Sequence, residues 1–324
     1  MTIEKSLKYI IGAVARKDHV ESLCHLLIRD GTAIAYDGML SMSTPIDIDL
    51  HAKPHAKTML KAIQACDDEK AISLHMTQAQ RLAVRSGAFR AYVPCLGDED
   101  EMHQPLPEGE HVEVTPRLMD SIRAMAPLMG IDASRAWSQG LRLCGNSTFA
   151  TNNILLAEYW HGANFPHEII IPADAVKELL RINVAPTHAQ VTDSSATFFF
   201  EGDRWLRTQL VGGQWPIEQV TALLDAGGNP QPLPQGFFDA LRKLRAFVDD
   251  AAGVRIHADR ITTTNEEQSG AAVELESVSE GAHFNINQIL LLDDIATKID
   301  FMQHPQACYW QGNKVRGVII GRSD

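Results

Sequence analysis

The residues best able to hold a metal in this sequence are His51 and His55 of the stretch HAKPH, with Cys24 and His25 upstream. Two imidazoles four positions apart share a metal when both project from one helix face, and Pro54 between them breaks such a helix. The five cysteines, Cys24, Cys66, Cys95, Cys144 and Cys308, contain no C-x-x-C pair, so neither a zinc ribbon nor a disulfide framework is expected. Carboxylates cluster at Asp67-Asp68-Glu69 and at Asp98-Glu99-Asp100-Glu101. General acid–base work needs unlike environments that split two pKa values, whereas these runs read as solvated turns at a helix end and in a connector. The sequence has no P-loop, dinucleotide, elbow-serine or zincin motif. No catalytic residue, metal or cofactor is therefore expected, and the chemistry that remains is that of charge.

Basic residues recur in pairs at i, i+3 or i+4: Lys5/Lys8, Lys57/Lys61, Lys177/Arg181 and Arg242/Arg245, a spacing that puts each pair on one helix face. Six segments with helical apolar spacing contain them, 3–17, 55–66, 115–127, 172–182, 235–249 and 284–299. Together these segments hold fourteen Lys and Arg (Lys5, Lys8, Arg16, Lys17, Lys57, Lys61, Arg117, Arg123, Lys177, Arg181, Arg242, Lys243, Arg245 and Lys298) against eight Asp and Glu. The remainder holds fifteen basic against thirty-three acidic residues, so a chain of net charge -12 still presents cationic helices. Helix surfaces favour Lys and Arg in any protein, which explains a single such helix as well. The last segment, with Asp293 and Asp294, departs from the pattern.

The elements that carry these charges repeat. LAVRSGAFRAYV (82–93), TFFFEGDRWLRTQL (197–210) and ACYWQGNKVRGVII (307–320) each read as two apolar strands around a glycine turn, and Gly87, Gly202 and Gly312 stand 115 and 110 positions apart. A second set, HLLIRDGTAIAYDG (25–38), GLRLCGNSTFATNN (140–153) and GVRIHADRITTTNE (253–266), spaces its leading residues Leu26, Leu141 and Val254 by 115 and 113. Two separate landmarks share one period, so the chain reads as six helix-plus-strands units paired into three domains. Pro116 and Pro172 lie at helix starts, where a missing N–H costs nothing. GDEDEMHQPLPEGE (97–110) and DAGGNPQPLP (225–234) have connector composition, giving domains 1–112, 113–226 and 227–324. At 324 residues, 45% hydrophobic and 22% charged, the chain is ordinary for a globular protein of that size. Without a membrane-length apolar run or a cleavable leader, it reads as soluble and cytoplasmic.

On these motifs the whole chain resembles the bacterial type of DNA sliding clamp, the beta subunit of DNA polymerase III, in a small and divergent form that would suit a phage. ATNNILLA (150–157) stands where the family has A-T-D-G-H-R-L-A, and QLVGGQWP (209–216) is similar to its strand leading into a Gly-aromatic-Pro turn. GVRIHADRITTTNEEQSGAAVELE (253–276), with its Asn and Glu-Gln at 265–268, resembles the first strand pair of the third domain, and HFNINQILLLDDI (283–295) the helix opening the last half-domain.

The resemblance implies an α+β clamp fold, three similar domains per chain, and a homodimeric ring with helices inside and sheets outside. It implies duplex DNA, held without sequence readout, as the encircled partner of the basic residues above other than Lys298. A partner-peptide pocket for polymerase and clamp loader would involve Thr151, Asn152, Asn153, Ile154, Leu155 and Leu156 with Val318, Ile319, Ile320, Gly321 and Arg322. There the family's Asp-Gly-His-Arg has become Asn-Asn-Ile-Leu and its closing Met-Pro-Met-Arg-Leu roughly Ile-Ile-Gly-Arg-Ser, which alters the pocket. Ile154, Leu156 and Ile319 also fit the alternation of plain sheet core. The dimer contact would bring Phe89 and Tyr92 against Phe247 and Val248, residues that equally suit the interior of their own domains. The function implied is a non-enzymatic processivity clamp. The alternative is a clamp-fold interaction protein that binds replication proteins without encircling DNA.

Overall fold

The structure, a computed structural model, describes residues 2–323 apart from 18, 68, 268 and 276–280. Asp68 and Gln268, which figure in the motifs above, lie outside the described residues, as does Glu276. Along the chain, one short helix followed by antiparallel strands recurs. Helix α1 (Ile3–Ile10) precedes β1 (Leu26–Arg29), β2 (Thr32–Tyr36) and β3 (Leu40–Pro45), and α2 (Ala56–Gln64) precedes β4 (Ile72–Met76), β5 (Arg81–Ser86) and β6 (Phe89–Pro94). After β7 (Glu110–Glu113), α3 (Arg117–Met125) leads into β8 (Gly140–Thr151) and β9 (Leu155–Pro172). Then α4 (Ala173–Ile182) leads into β10 (His188–Val191), β11 (Ser195–Phe200) and β12 (Arg204–Gln209). Helix α5 (Ile217–Ala226) and β13 (Gln231–Pro232) follow. The last third runs α6 (Phe237–Leu244), β14 (Gly253–Ile256), β15 (Arg260–Thr263), β16 (Ala272–Glu274) and β17 (Ala282–Asn285), then α7 (Ile286–Ile289), β18 (Lys298–Ile299), β19 (Ala307–Gly312) and β20 (Val315–Ile320).

Each of the six expected helical segments contains a helix, shorter than its apolar spacing implied. Local capping sets several starts: the Thr2 hydroxyl accepts from the Lys5 N–H, and the Asn285 side chain from the Asn287 N–H. Pro116 and Pro172 each stand one residue before a helix rather than inside it. Lys298 lies on a strand, while Arg16, Lys17 and Arg245 lie beyond their helix ends. Helix α5 is a correction to the sequence reading, which treated its end as the start of a connector. Val220 and Leu224 are buried one turn apart while the rest of its surface is wetter, so the stripe is too narrow to register as periodicity.

All three glycine hairpins form, as β5–β6, β11–β12 and β19–β20. Gly87 and Gly202 adopt the positive φ their turns require, +56° and +74°. In the third hairpin Lys314 takes that role at φ +59°, and Gly312 serves another purpose: a Cβ there would stand 1.7 Å from the backbone oxygen of Ile295. The stretch 140–153 forms one continuous strand, β8, whose register against β9 shifts between Leu143 and Gly145 and again between Gly145 and Ser147.

The chain packs as two compact units. The first, residues 1–119 with 177–210, holds a seven-stranded antiparallel sheet in the order β1-β2-β3-β12-β11-β10-β7 and a three-stranded sheet β4-β5-β6. Its larger sheet joins strands distant in sequence: β3 pairs with β12 through Met42 opposite Leu206 and Ser43 opposite Trp205. The second, residues 120–176 with 211–324, holds a six-stranded sheet β13-β18-β19-β20-β9-β8 and a four-stranded sheet β16-β15-β14-β17. In both units strands alternate a buried apolar side with a wetter one, as β1 and β2 do with Leu26, Ile28, Ala33 and Ala35 inside. Among the described residues, no helix is long and apolar enough to cross a membrane.

Candidate functional site: an apolar cluster and the basic helices

The second unit brings the two halves of the expected pocket together. Strand β20 lies antiparallel to β9, with Val318 opposite Leu156 and Ile319 opposite Leu155, and the ladder continues through the Ile320 N–H to the Ile154 carbonyl at 2.9 Å. Strand alternation then sorts the residues by face. Leu155 and Ile319, 1% and 0% exposed, point to one side and are sheet core. Leu156 and Val318 point to the other, into a cluster with Phe149, Trp215, Val220, Leu224 and Tyr309. Ile154 and Ile320 extend that second face to its open edge, where they are 37% and 48% exposed. Trp137 packs on the cluster from the rim, edge to face on Trp215 with ring centroids 5.1 Å apart.

The polar residues of the motif build the turn that presents this face. The Asn152 carboxamide oxygen accepts from the N–H groups of Ile154 and Leu155, at 3.1 and 2.8 Å, while its amide donates to Gln288 at 2.7 Å. Thr151 donates its hydroxyl to the Leu155 carbonyl at 2.7 Å, and Asn153 holds φ +73° with its side chain taking a hydrogen bond from Arg135. Asn tolerates that left-handed conformation better than most residues. Gly321 is packed against His304 and His283, and Arg322 donates to the Ala251 carbonyl, so these two anchor the chain end rather than line the face.

The rest of the cluster was not legible from the motifs. Val220 and Leu224 come from α5, which Arg316 fastens to the sheet through Glu158 at 2.8 Å and Asp225 at 3.2 Å. Trp215, in the Gly-Gln-Trp-Pro turn, was marked by its motif but not assigned to the site. Arg142 was missed entirely: its side chain is 3% exposed, and its guanidinium carbon lies 4.8 Å from the Phe149 ring centroid and 5.9 Å from that of Trp215.

The expected DNA-facing cations divide into two groups. Lys8, Arg123, Arg181 and Arg242 are held by carboxylates of their own helices, Glu4, Asp120, Glu178 and Asp239, and Arg242 also by Asp293. Arg181 additionally donates to the carbonyls of Lys8 and Tyr9, and Lys57 donates to the Arg16 carbonyl at 2.8 Å, so both latch elements of the first unit together. Lys5, Lys61, Lys177 and Lys243 are exposed and enter no ion pair among the described residues.

Tyr92 is 45% exposed on the edge strand β6 with Arg81 over its ring, and Phe247 is 51% exposed just past α6. Phe89 lies on the opposite face of β6 from Tyr92, beside Ala91 and Val93. His55 caps α2, its Nδ1 accepting from the Thr58 N–H at 3.3 Å, and His25 stands against it with ring centroids 5.2 Å apart. No group of three or more His, Cys, Asp or Glu that could hold a metal occurs among the described residues.

No protein-family model and no curated protein matches the chain by sequence. Solved structures do. The chain superposes on the C. crescentus beta sliding clamp with a TM-score of 0.85 at 18% identity, covering 100% of this chain and 97% of that one. It matches the DnaN sliding clamp, DNA polymerase III subunit beta, of Bartonella birtlesii with a TM-score of 0.85 at 18% identity, over 99% and 97%. The DNA polymerase sliding clamp of Bacillus subtilis gives 0.84 at 13% identity, again over 99% and 97%. The chain therefore has the fold of the bacterial beta sliding clamps, over its whole length and at low identity.

Proposed function

We propose that the protein is a non-catalytic DNA sliding clamp. In this reading two chains, each of three domains (1–112, 113–226 and 227–324), close head to tail into a six-domain ring around duplex DNA. Polymerase and clamp loader attach through short peptides laid on the face of Leu156, Val318, Ile154 and Ile320. The observation that carries the reading is two-way coverage: 100% of this chain aligns with 97% of a sliding clamp, at a TM-score of 0.85.

The charge distribution supports it. Lys5, Lys61, Lys177 and Lys243 stand exposed on helices, and cations that contact only phosphates hold DNA without reading its sequence. The acidic remainder of a chain with net charge -12 repels DNA from other surfaces and steers it to the cationic ones. Tyr92 and Phe247 leave large rings exposed, which suits a contact between copies in which Phe89 and Val248 take part.

A second reading is favoured by one specific observation, the pairing of Lys8, Arg123, Arg181 and Arg242 with neighbouring carboxylates. A clamp-fold interaction protein that binds replication proteins without encircling DNA would have no use for bare cations. The solution mass separates the two. Light scattering over a dilution series gives about twice 35.7 kDa for a closed pair, and a mass that stays at one chain contradicts the ring.

A further inference from the structure

Arg142 is a charged residue in an apolar setting. It lies on β8 with Leu141 and Leu143, both fully buried, and it pairs with Glu168, 3.1 Å from Nη2 and itself 34% exposed. Among the described residues, neither Nε nor Nη1 has a hydrogen-bond partner. The indole Nε1 of Trp215, whose ring the guanidinium overlies, has none among them either. Buried donors without acceptors are costly, and an arginine cannot shed its proton to relieve the cost. Here two side chains with unmet donors lie against one another in the wall of an apolar cluster.

We infer that this wall is a carboxylate-recognition subsite, and that the peptide bound on the Leu156–Val318 face carries an acidic side chain beside its apolar residues. The carboxylate enters past Trp137, the half-buried ring at the edge of the cluster, and accepts hydrogen bonds from Arg142 Nη1 and Trp215 Nε1. Charge complementarity selects the occupant: a buried guanidinium that Glu168 engages only at Nη2, with Nη1 open among apolar rings, matches an anion with apolar flanks. An aliphatic residue in place of Arg142 would accept apolar peptides of any charge, so Arg142 sets specificity while the isoleucines and leucines set affinity. This inference rests on the reading of that face as a peptide pocket.

The test is selection of a displayed random heptapeptide library, its C-terminus blocked so that only side chains supply carboxylates, against the full chain. The tightest binder is then compared with its own Glu→Gln or Asp→Asn form on the unsubstituted protein and on Arg142→Met, which keeps the aliphatic stem. The expected result is enrichment of an acidic residue next to apolar ones, a loss of about tenfold or more when it is made an amide, and no such difference on Arg142→Met. Should Arg142→Met not fold, the acid–amide comparison on the unsubstituted protein stands alone. Selected peptides that are displaced by Ile154→Asp with Ile320→Asp, yet bind equally as acid and amide, overturn the role of Arg142 and leave the pocket. Peptides indifferent to the two isoleucine substitutions, or no selected peptide at all, overturn the pocket reading and this inference with it.

Discussion

The Arg142 guanidinium lies 4.8 Å from the Phe149 ring although the two residues are seven positions apart on one strand. Seven extended residues span about 23 Å, far beyond the combined reach of both side chains. The corner is at Gly145, where φ is +52° and the register against β9 slips twice. Opposite it, the chain from Trp160 to Ile169 of β9 faces only the residues Leu143 to Ser147 of β8. A bulge of this kind re-aims side chains, and here it turns a buried cation onto the side of an apolar cluster. A Cβ at Gly145 would meet nothing within 4 Å, so the glycine is needed for its backbone and not for space. Gly145→Ala is expected to cost about 1 kcal/mol through the strained φ alone, read as a lower urea midpoint with unchanged slope.

The open edge of the pocket separates binding from folding. Ile154 and Ile320 are partly exposed, so Ile154→Asp and Ile320→Asp should leave the melting temperature within about 2 °C while abolishing capture of peptides by the face. Leu156→Ala, by contrast, removes buried volume and should cost about 2–4 kcal/mol. Thermal melts run beside peptide titration distinguish the two.

Arg181 is expected to matter for stability more than for DNA. It pairs with Glu178, which is largely buried, and donates to the Lys8 and Tyr9 carbonyls. Arg181→Ala strands those acceptors and should lower stability by about 1–2 kcal/mol, allowing for the partial exposure of the arginine. Chemical denaturation of the variant measures this directly.

Neutralising Lys5, Lys61, Lys177 and Lys243 together should leave folding intact, because all four side chains are exposed on helix surfaces. Association with DNA should weaken, and the dependence of log K on log salt should become shallower by up to about 0.9 for each phosphate that is no longer neutralised. An unchanged salt slope would remove these lysines from the DNA-facing surface.

His161 gives the protein an acid limb. The ring is fully buried, and burial pulls its pKa down to about 4. Its Nδ1 accepts from the Ala163 N–H at 3.0 Å, which requires the neutral imidazole. With the folded value below the unfolded one, the unfolded chain binds the extra proton first. The stability that neutral His161 contributes is complete above about pH 6.5 and declines as pH falls towards 4, by about 3 kcal/mol at most. Urea midpoints between pH 7 and 4 should fall accordingly, and His161→Asn should flatten the decline.

How far the sequence could be read follows from what each signal measures. The 110–115 residue period located β5–β6, β11–β12 and β19–β20 because each hairpin is local and carries its own turn chemistry. The pairing of β3 with β12 and of β9 with β20 was not legible, since sheet partners about 160 positions apart leave no mark in either strand. At the Leu156–Val318 face, the two pairing strands were marked by their motifs, and alternation raised a core alternative for Ile154, Leu156 and Ile319; Ile319 and Leu156 are buried, while Ile154 is 37% exposed. Arg142 was hidden for a different reason. An arginine in an apolar strand reads as an outward residue, and only the corner at Gly145 turns it inward. The count of cations on helices likewise could not reveal that Arg181 and Lys57 are occupied by backbone carbonyls.

The most direct test of the account is topological. Protein assembled on a closed plasmid, with a loader or by dilution through the dimer equilibrium, is passed through a sizing column at about 0.3–0.5 M salt, where phosphate contacts alone fail. The clamp reading predicts that the protein stays with circular DNA and is released once a single cut makes the DNA linear. Equal retention on both forms, or on neither, contradicts it.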